Sequence, residues 1–479
     1  MTNIVIAYLF ILLGVGAWKA FRVKTHEDFA LAGRSLSPWI LVGTMLATWI
    51  GTGSILGNAG KAYEVGFAGL ILPLGGVLGI VLLTRIAGKI RDMDTYTVPE
   101  IIYNRFGSGA RNWTVIALVM AYLVIVSYQY NAGGAVLYTM FNIDGDSSWM
   151  TLERATAIAA IFIVLYTVLA GLLSVVYTDV ANGVIMTVIL VIAFPILWFK
   201  AGGMQGVEQA FLVQGNPEKI EFLGRFSAIQ MINYMLPPFL LVLGDANMYQ
   251  RFSAASSSRG IKTATLVLVF AVLIIECLIV ATAAVSASLV SDAENGRHIL
   301  IYIAANFLPD LLGGLFFATI IGIIISTADS YLLVPATTLM RDIYLAYINP
   351  EANEKKIVLY SRILVIFLGF AAWLISRGFA SSPGFFERAL YAYTIYGAAI
   401  TPSLIAALFW PKATSRAALY SIGAGVLTTI LWQESPIFKW LLGDRIVSNL
   451  DAVLPAITLS VLFLIVGSLW GRNGNNPGS

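Results

Sequence analysis

Long runs of apolar residues, separated by short polar segments, repeat along the whole chain. A helix of roughly twenty apolar residues spans the hydrocarbon core of a bilayer. Because the runs are continuous rather than alternating, they predict helices and not the strands of a transmembrane barrel. We therefore predict an all-α polytopic membrane protein with about thirteen transmembrane helices. The predicted spans are 3–20, 37–58, 66–88, 112–140, 150–172, 176–199, 227–246, 263–289, 299–337, 357–376, 385–409, 415–433 and 451–470.

No low-complexity linker divides the chain, so we predict a single transporter domain, 1–479, ending in a short cytoplasmic tail at 471–479. Helix-breaking residues occur in two of the spans: Gly51-Thr52-Gly53 in the second and Pro237-Pro238 in the seventh. Interrupted helices at corresponding positions are typical of transporters built from inverted repeats. Five-helix units that begin at these spans cover 37–199 and 227–409. The run at 299–337 is long enough to include an extramembrane helical turn.

The composition supports a membrane location, since 58% of the residues are hydrophobic and 11% are charged, against about 25% charged in soluble proteins. Most of the 29 basic residues face the cytoplasm if the N-terminus is outside and the C-terminus inside. We expect an integral protein of a bacterial inner membrane, in contact with the lipid bilayer. No basic run suggests a nucleic acid ligand, and no obligate protein partner is evident. His26 and His298 lie in loops, and Cys277 lies in an apolar run, so enzyme chemistry has no visible support.

Two stretches carry the candidate chemistry. Around Gly51 the second span either unwinds, which frees carbonyls to line a cavity or hold an ion, or uses small residues for close helix packing. In the ninth span, hydroxyl and carboxylate side chains fall within five positions, in the sequence Ser326-Thr327-Ala328-Asp329-Ser330. Such oxygen ligands suit hard cations. The alternative for the hydroxyls is a bond back to the preceding helical turn.

Four acids, Asp179, Asp245, Glu276 and Asp329, lie at or near membrane depth, and no Lys or Arg is clearly in mid-span. Acids without nearby bases imply a cationic occupant or protonation. Asp179 follows Thr178 and is alternatively a helix cap. Glu276 is the deepest acid, and it is either a protonated structural group or a site for solute or proton.

Several short motifs resemble those of the sodium:solute symporters, a family that includes proline, pantothenate, sialic acid, sugar and choline carriers. The resemblance covers nearly the whole chain, with Ala32 standing where the family's entry motif has a glycine. The motifs are Ala32-Gly33-Arg34-Ser35-Leu36, Ala170-Gly171-Leu172, Tyr177-Thr178-Asp179, Tyr249-Gln250-Arg251-Phe252 and Ser326-Thr327.

This resemblance implies inverted five-helix repeats of the LeuT-like kind with flanking helices. It implies sodium-coupled import of a small organic solute by alternating access, with sodium as the co-transported ion. The implied ligands of the main sodium ion are the carbonyls of Ala47, Ile50 and Ile323 and the hydroxyls of Ser326 and Thr327. Some relatives hold a second sodium ion. Its implied ligands in this chain are Asp179, Ser326, Asp329 and Ser330, although Asp329 stands where those relatives have a serine. The alternatives are a proton-coupled carrier, using Glu276 or Asp329, and a membrane solute sensor.

The solute is harder to predict from sequence. Trp49 resembles a tryptophan that the choline carriers place in the same broken helix, and aromatic faces attract quaternary ammonium groups. The alternative role for Trp49 is packing or gating, and the rest of the choline carriers' aromatic cage is missing. The residues that we expect near the solute, from helix position, are Thr48, Trp49, Thr52, Tyr128, Gln129, Tyr130, Asn131, Phe239, Tyr393 and Tyr396.

Overall fold

The computed structural model describes residues 2–20, 25–142, 149–223, 225–292, 296, 298–378 and 384–473. A helix lies at every predicted span. Among the described residues, eight helices are long and apolar enough to cross a membrane, or nine if a bent pair is one span. The number that crosses stays a prediction. The helices at the predicted spans are Thr2–Ala20, Pro38–Trp49 with Gly53–Ile71, Leu74–Asp92, Ser108–Asn142, Leu152–Leu169, Gly171–Lys200, Ala228–Gly244 with Ala246–Ala254, Ser258–Leu289, Asp310–Ile348, Glu354–Gly378, Phe385–Phe409, Ser415–Glu434 and Val453–Asn473.

Shorter helices connect these spans, and they refine several predicted boundaries. The long run at 299–337 contains a separate short helix, Ile299–Asn306, before the main helix begins at Asp310. The third helix begins at Leu74, because the residues before it complete the bent second span. The last helix continues through Asn473, three residues into the predicted tail, and 474–479 lie outside the described residues. Other short helices are His26–Leu31, Val98–Phe106, Gly203–Val213, Ile437–Leu442 and Asp444–Asn449.

The second span breaks where the glycines predict it to break. Its first helix ends at Trp49, Ile50 has extended backbone, and helical structure resumes at Gly53 with a bend of 51°. Gly51 lies against the ninth span, because a Cβ atom there would sit 2.9 Å from the hydroxyl oxygen of Thr327. Both alternatives for this stretch are therefore present at Gly51: the helix is interrupted there, and the small residue allows close packing against the ninth span.

The seventh span also breaks, but at a different residue from the one predicted. Its helix runs through Pro237 and Pro238 and ends at Gly244. Asp245 is non-helical, and the next helix begins at Ala246. A membrane helix accommodates proline when neighbouring groups satisfy the freed backbone atoms. Here the prediction was wrong because the helix tolerates the two prolines, whereas the break lies about two turns later, at Asp245.

Close helix packing surrounds the ninth span, the most buried of the long helices. It contacts the fourth, fifth and sixth helices and the first half of the second. The fifth and sixth helices meet at Gly171, whose backbone has a φ of 59°. This left-handed conformation favours glycine, and a side chain there would also press on Phe29. The repeat boundaries at 37–199 and 227–409 stay predictions.

Candidate sodium and solute site

The predicted main sodium site lies where the break of the second span meets the ninth span. Ala47 and Ile50 stand at the helix end, where backbone carbonyls lose their donors in the next turn. The Thr327 hydroxyl faces Gly51 in this break and is 3% exposed. Among the described residues it has no hydrogen-bond partner. A buried hydroxyl without a partner is costly unless something else satisfies it.

The other two predicted ligands lie on the same helix as Thr327. Ile323 is fully buried one turn earlier. The Ser326 hydroxyl donates a hydrogen bond to the carboxylate of Asp179 on the sixth span. Ser326 therefore links the main site to the predicted second site, because it stands beside Thr327 and also contacts Asp179.

Asp179 is the centre of a buried polar network. Its carboxylate accepts hydrogen bonds from Ser326, from the Thr44 hydroxyl at 2.5 Å and from the guanidinium of Arg251 at 3.1 Å. Arg251 also donates to the hydroxyl of Ser330 at 2.8 Å. Asp179 lies two turns inside the helix that begins at Gly171, so the alternative of a helix cap is wrong.

Arg251 corrects the expectation that no basic residue lies at depth. Its side chain is fully buried, as is that of Asp179, and the two form an ion pair. The sequence concealed this because Arg251 falls after the predicted end of the seventh span, in the helix Ala246–Ala254 that follows the break. Asp179 consequently has a counter-charge within the protein.

Among the described residues, Asp329 makes no hydrogen bond to either member of this ion pair. One of its carboxylate oxygens accepts a hydrogen bond from Thr167 on the fifth span. The other has no partner among the described residues, and the side chain is fully buried. Of the residues predicted for a second sodium ion, Asp179, Ser326 and Ser330 thus belong to the Arg251 network, whereas Asp329 has a separate set of neighbours.

A small enclosed cavity lies beside the break of the second span. Its volume is about 30 Å³, which is room for only one or two water molecules. Glu276 of the eighth span lines it and accepts hydrogen bonds from Ser54 at 2.5 Å and from Asn58 at 3.2 Å. The indole of Trp49 is a further hydrogen-bond partner of Glu276. The lining residues are Trp49, Gly53, Ser54, Asn58, Leu72, Pro73, Gly76, Tyr234, Pro238, Glu276, Phe386, Ala389, Leu390 and Tyr393.

Two of the residues predicted near the solute, Trp49 and Tyr393, line this cavity. Tyr128 stands behind it and is hydrogen-bonded to Tyr393. Thr52 donates to the side-chain carbonyl of Gln129, close to the break. These five residues form one connected region around the interrupted helix.

The other predicted solute residues lie elsewhere. Thr48 bonds back to the carbonyl of Thr44 at 2.7 Å, as the alternative for lone hydroxyls predicted. Tyr396 donates to the carbonyl of Gly244 at 2.7 Å and so belongs to the break of the seventh span. Asn131 donates to the carbonyl of Ser376 at 3.2 Å. The remaining two are buried Tyr130, whose hydroxyl has no partner among the described residues, and half-buried Phe239, against Gly79.

A model described as "Sodium:solute symporter family" matches residues 29–425, most of the chain. The chain belongs to the sodium:solute symporter family. The motifs that carried the resemblance from Gly33 to Ser326-Thr327 fall within the matched region.

Relatives with assigned activities match the symporter along nearly its full length. The sodium/proline symporter of Escherichia coli (strain K12) is 24% identical, over 97% of this chain and 92% of that protein. The sodium/glucose cotransporter of Vibrio parahaemolyticus is 26% identical, over 90% of this chain and 84% of that protein. A solved structure of a Na⁺-coupled sialic acid symporter, in a substrate-bound outward-open state, has a TM-score of 0.80 at 17% identity and covers 98% of this chain and 97% of that chain.

Membership of the family confirms the main functional prediction. The symporter is an integral membrane protein with an all-α, LeuT-like fold, and it is a transporter rather than an enzyme. It couples the transport of a small organic solute to sodium, by alternating access. Sodium is the co-transported ion.

Sequence reasoning missed three polar residues of this region. Ser54 and Asn58, four positions apart in the second half of the second span, are both hydrogen-bonded to Glu276. Their helical spacing was the available signal, because residues at i and i+4 share a face. Arg251 gave no comparable signal, since its partners Asp179 and Ser330 are far away in sequence.

Proposed function

We propose that this symporter holds its main sodium ion between the break of the second span and the ninth span. The ligands proposed are the carbonyls of Ala47, Ile50 and Ile323 and the hydroxyls of Ser326 and Thr327. The observation that carries the proposal is the Thr327 hydroxyl, which is buried directly against Gly51 and has no hydrogen-bond partner in the part of the chain that the structure describes. Oxygen ligands of this kind suit a hard cation.

Binding of sodium at this place would join two elements that otherwise touch only by packing. The ion would tie the second span to the ninth and so favour one arrangement of the cavity beside Trp49. By linkage, the solute must tighten sodium binding by the same factor as sodium tightens solute binding. This reciprocity gives coupled transport without any covalent step.

We also propose a second cation near the two buried acids of the sixth and ninth spans, with Asp179, Ser326, Asp329 and Ser330 as its candidate ligands. This region contains the buried carboxylates of Asp179 and Asp329 and one guanidinium, that of Arg251. Because Arg251 compensates Asp179, the uncompensated charge is that of Asp329, one of whose oxygens has no hydrogen-bond partner among the described residues. A second sodium ion or a proton would neutralise it.

The orientation follows from the distribution of basic residues. We propose that the N-terminus lies outside and the C-terminus in the cytoplasm of a bacterial inner membrane. The cavity beside Glu276 then lies toward the outer side, because Ser54 and Asn58 follow the break of a span that begins inside. The solute therefore enters from outside and moves inward with sodium.

A sodium titration tests the main site without knowledge of the solute. The melting temperature of the purified protein is measured in sodium chloride, with potassium chloride as the reference salt. Ser326→Ala and Thr327→Val each remove one ligand, which costs about 1.5–3 kcal/mol for a bond to a charged group. The sodium concentration for half of the thermal shift should then rise about tenfold or more.

The matched control is Thr319→Val on the same helix, whose hydroxyl bonds back to the carbonyl of Leu315 at 2.8 Å. This variant should titrate like the wild-type protein. An unchanged sodium titration in both Ser326→Ala and Thr327→Val would remove this site from the proposal.

A further inference from the structure

Glu276 is a buried carboxylate with no ion-pair partner among the described residues. It lies on the eighth span, is 2% exposed and lines the cavity beside the broken second span. Its hydrogen-bond partners Ser54, Asn58 and Trp49 are all neutral. A charge at membrane depth is expensive unless it serves a pathway or a ligand.

A basic side chain that contacts two of these lining residues, Tyr234 and Phe386, already has an acidic partner. Lys61 lies one turn beyond Asn58 and forms an ion pair with Glu64 at 2.7 Å. Its amine also faces the rings of Tyr234 and Phe386, at 5.8 and 6.0 Å from their centroids. Lys61 therefore does not neutralise Glu276. A positively charged group in the cavity could pair with this carboxylate without competition from Lys61.

Four of the residues that line the cavity with Glu276 are aromatic. Trp49, Tyr234, Phe386 and Tyr393 contribute rings from the second, seventh and eleventh spans. The electron-rich face of an aromatic ring attracts a cation, most strongly for tryptophan. A carboxylate and four aromatic rings around one cavity favour a positively charged nitrogen over a neutral or anionic group of the same shape.

We propose that the solute carries a positively charged nitrogen, which binds between Glu276 and the aromatic rings of this cavity. The solute class is thus a small organic ammonium compound or a zwitterion with a cationic nitrogen. This assignment rests on the proposed function, because solute bound in the cavity is transported only if its binding is coupled to sodium binding at the neighbouring ion site.

The size of the cavity adds a requirement to the proposal. At about 30 Å³ it is smaller than any such solute, so the walls must move outward on binding. Tyr393 packs directly against the helix break, because a Cβ atom on Gly53 would lie 2.6 Å from the Tyr393 hydroxyl. Movement of the eleventh span, which carries Tyr393, would therefore widen the site at the helix break.

Matched compounds that differ only in the nitrogen test this assignment. Glycine betaine is compared with tert-butylacetate, and L-proline with cyclopentanecarboxylate, with tetramethylammonium as the bare cation. Each is added to purified full-length protein in saturating sodium, and the change in melting temperature is titrated. We expect a shift from at least one nitrogen compound and none from its carbon isostere.

Three variants connect the result to the carboxylate. Glu276→Gln should weaken binding of the nitrogen compound at least about tenfold, as expected for loss of a charged partner, while its sodium titration stays near that of the wild type. Glu276→Asp retains the charge and should retain measurable binding, which shows that the cavity is still formed. Glu208→Gln, at an exposed position on a connecting helix, is the control and should behave as wild type.

The outcomes separate this inference from the ion site. Two results overturn the inference: equal binding of the isosteres and the nitrogen compounds, or no binding of any nitrogen compound. If the sodium shift is normal in either case, the proposed ion site is unaffected. Unchanged binding in Glu276→Gln overturns the inference as well. Loss of the sodium shift in the wild-type protein would instead contradict the proposed ion site.

Discussion

The guanidinium of Arg251 lies 3.1 Å from the carboxylate of Asp179, and neither side chain is exposed. This pair joins the helix Ala246–Ala254, which follows the break of the seventh span, to the sixth span. Through Ser326 and Ser330 it also contacts the ninth span. A single buried ion pair therefore bridges the elements that surround the proposed cation sites.

Loss of one member of this pair should be more costly than loss of both. Arg251→Met leaves Asp179 buried without a counter-charge, which costs about 3–5 kcal/mol. We expect a large decrease in the melting temperature in detergent, and substantial recovery in the double variant with Asp179→Asn. The exposed pair of Arg377 and Glu153 gives the control, because Arg377→Gln should cost at most about 1 kcal/mol. Equal losses in the single and double Arg251 variants would show that the charge balance is unimportant.

Asp329→Asn should lower the Hill coefficient for sodium if a second sodium ion binds here. Asparagine keeps an acceptor for the Thr167 hydroxyl, so the melting temperature should stay near that of wild type. Sodium-driven solute uptake into proteoliposomes supplies the measurement. If the second cation is a proton, the Hill coefficient is unchanged and the dependence of uptake on external pH is lost. If Asp329→Asn alters neither the Hill coefficient nor the dependence on pH, the second cation is removed from the proposal.

Trp49 both lines the cavity and is hydrogen-bonded to Glu276. Trp49→Phe keeps an aromatic face but loses the indole donor, whereas Trp49→Ala loses both. We expect solute affinity to fall in the order wild type, Trp49→Phe, Trp49→Ala, with each step about 1 kcal/mol. Thermal-shift titration with the nitrogen compound that binds the wild type measures it. Wild-type affinity in both variants would mean that Trp49 is neither cage nor gate.

His26, in the connection between the first and second spans, predicts a pH effect on stability. Burial lowers the pKa of His26 to about 4, and the positive charge of Arg341 adds to this while Glu354 opposes it. The unfolded chain, with a pKa near 6.5, takes up the proton first as the pH falls. Stability present above about 6.5 is therefore lost progressively down to about 4.

The variant His26→Phe tests this assignment, because it keeps the ring that stacks on Tyr96 at 6.1 Å. Its melting temperature should fall less steeply over that pH range, by an amount equivalent to at most about 3 kcal/mol. Parallel plots of melting temperature against pH for the variant and the wild type would contradict this contribution of His26.

The spans and the first break were predictable because they depend on local pattern. A run of apolar residues determines a membrane helix almost alone, and Gly51 and Gly53 mark the break directly. The hydroxyls of Ser326 and Thr327 were equally visible in an apolar helix. These features need no knowledge of which helices are neighbours.

The polar partnerships were not predictable for the opposite reason. Arg251 and Asp179 are 72 positions apart, and Glu276 and Ser54 are 222 apart, so only the packing of helices reveals them. The break of the seventh span was misplaced because Pro237 and Pro238 carry a strong local signal. Asp245, where the helix ends, carries a weaker one.

The break of the seventh span is closed by two tyrosines. Tyr249 donates to the carbonyl of Leu243 at 2.8 Å, and Tyr396 to that of Gly244 at 2.7 Å. Tyr249 belongs to the short helix that follows the break, whereas Tyr396 also accepts from the amide of Ala246 at 3.1 Å and comes from the eleventh span. The phenol of Tyr396 therefore ties both sides of the hinge to one helix. In a transport cycle, the helix Ala246–Ala254 must therefore either move together with the eleventh span or first break these hydrogen bonds.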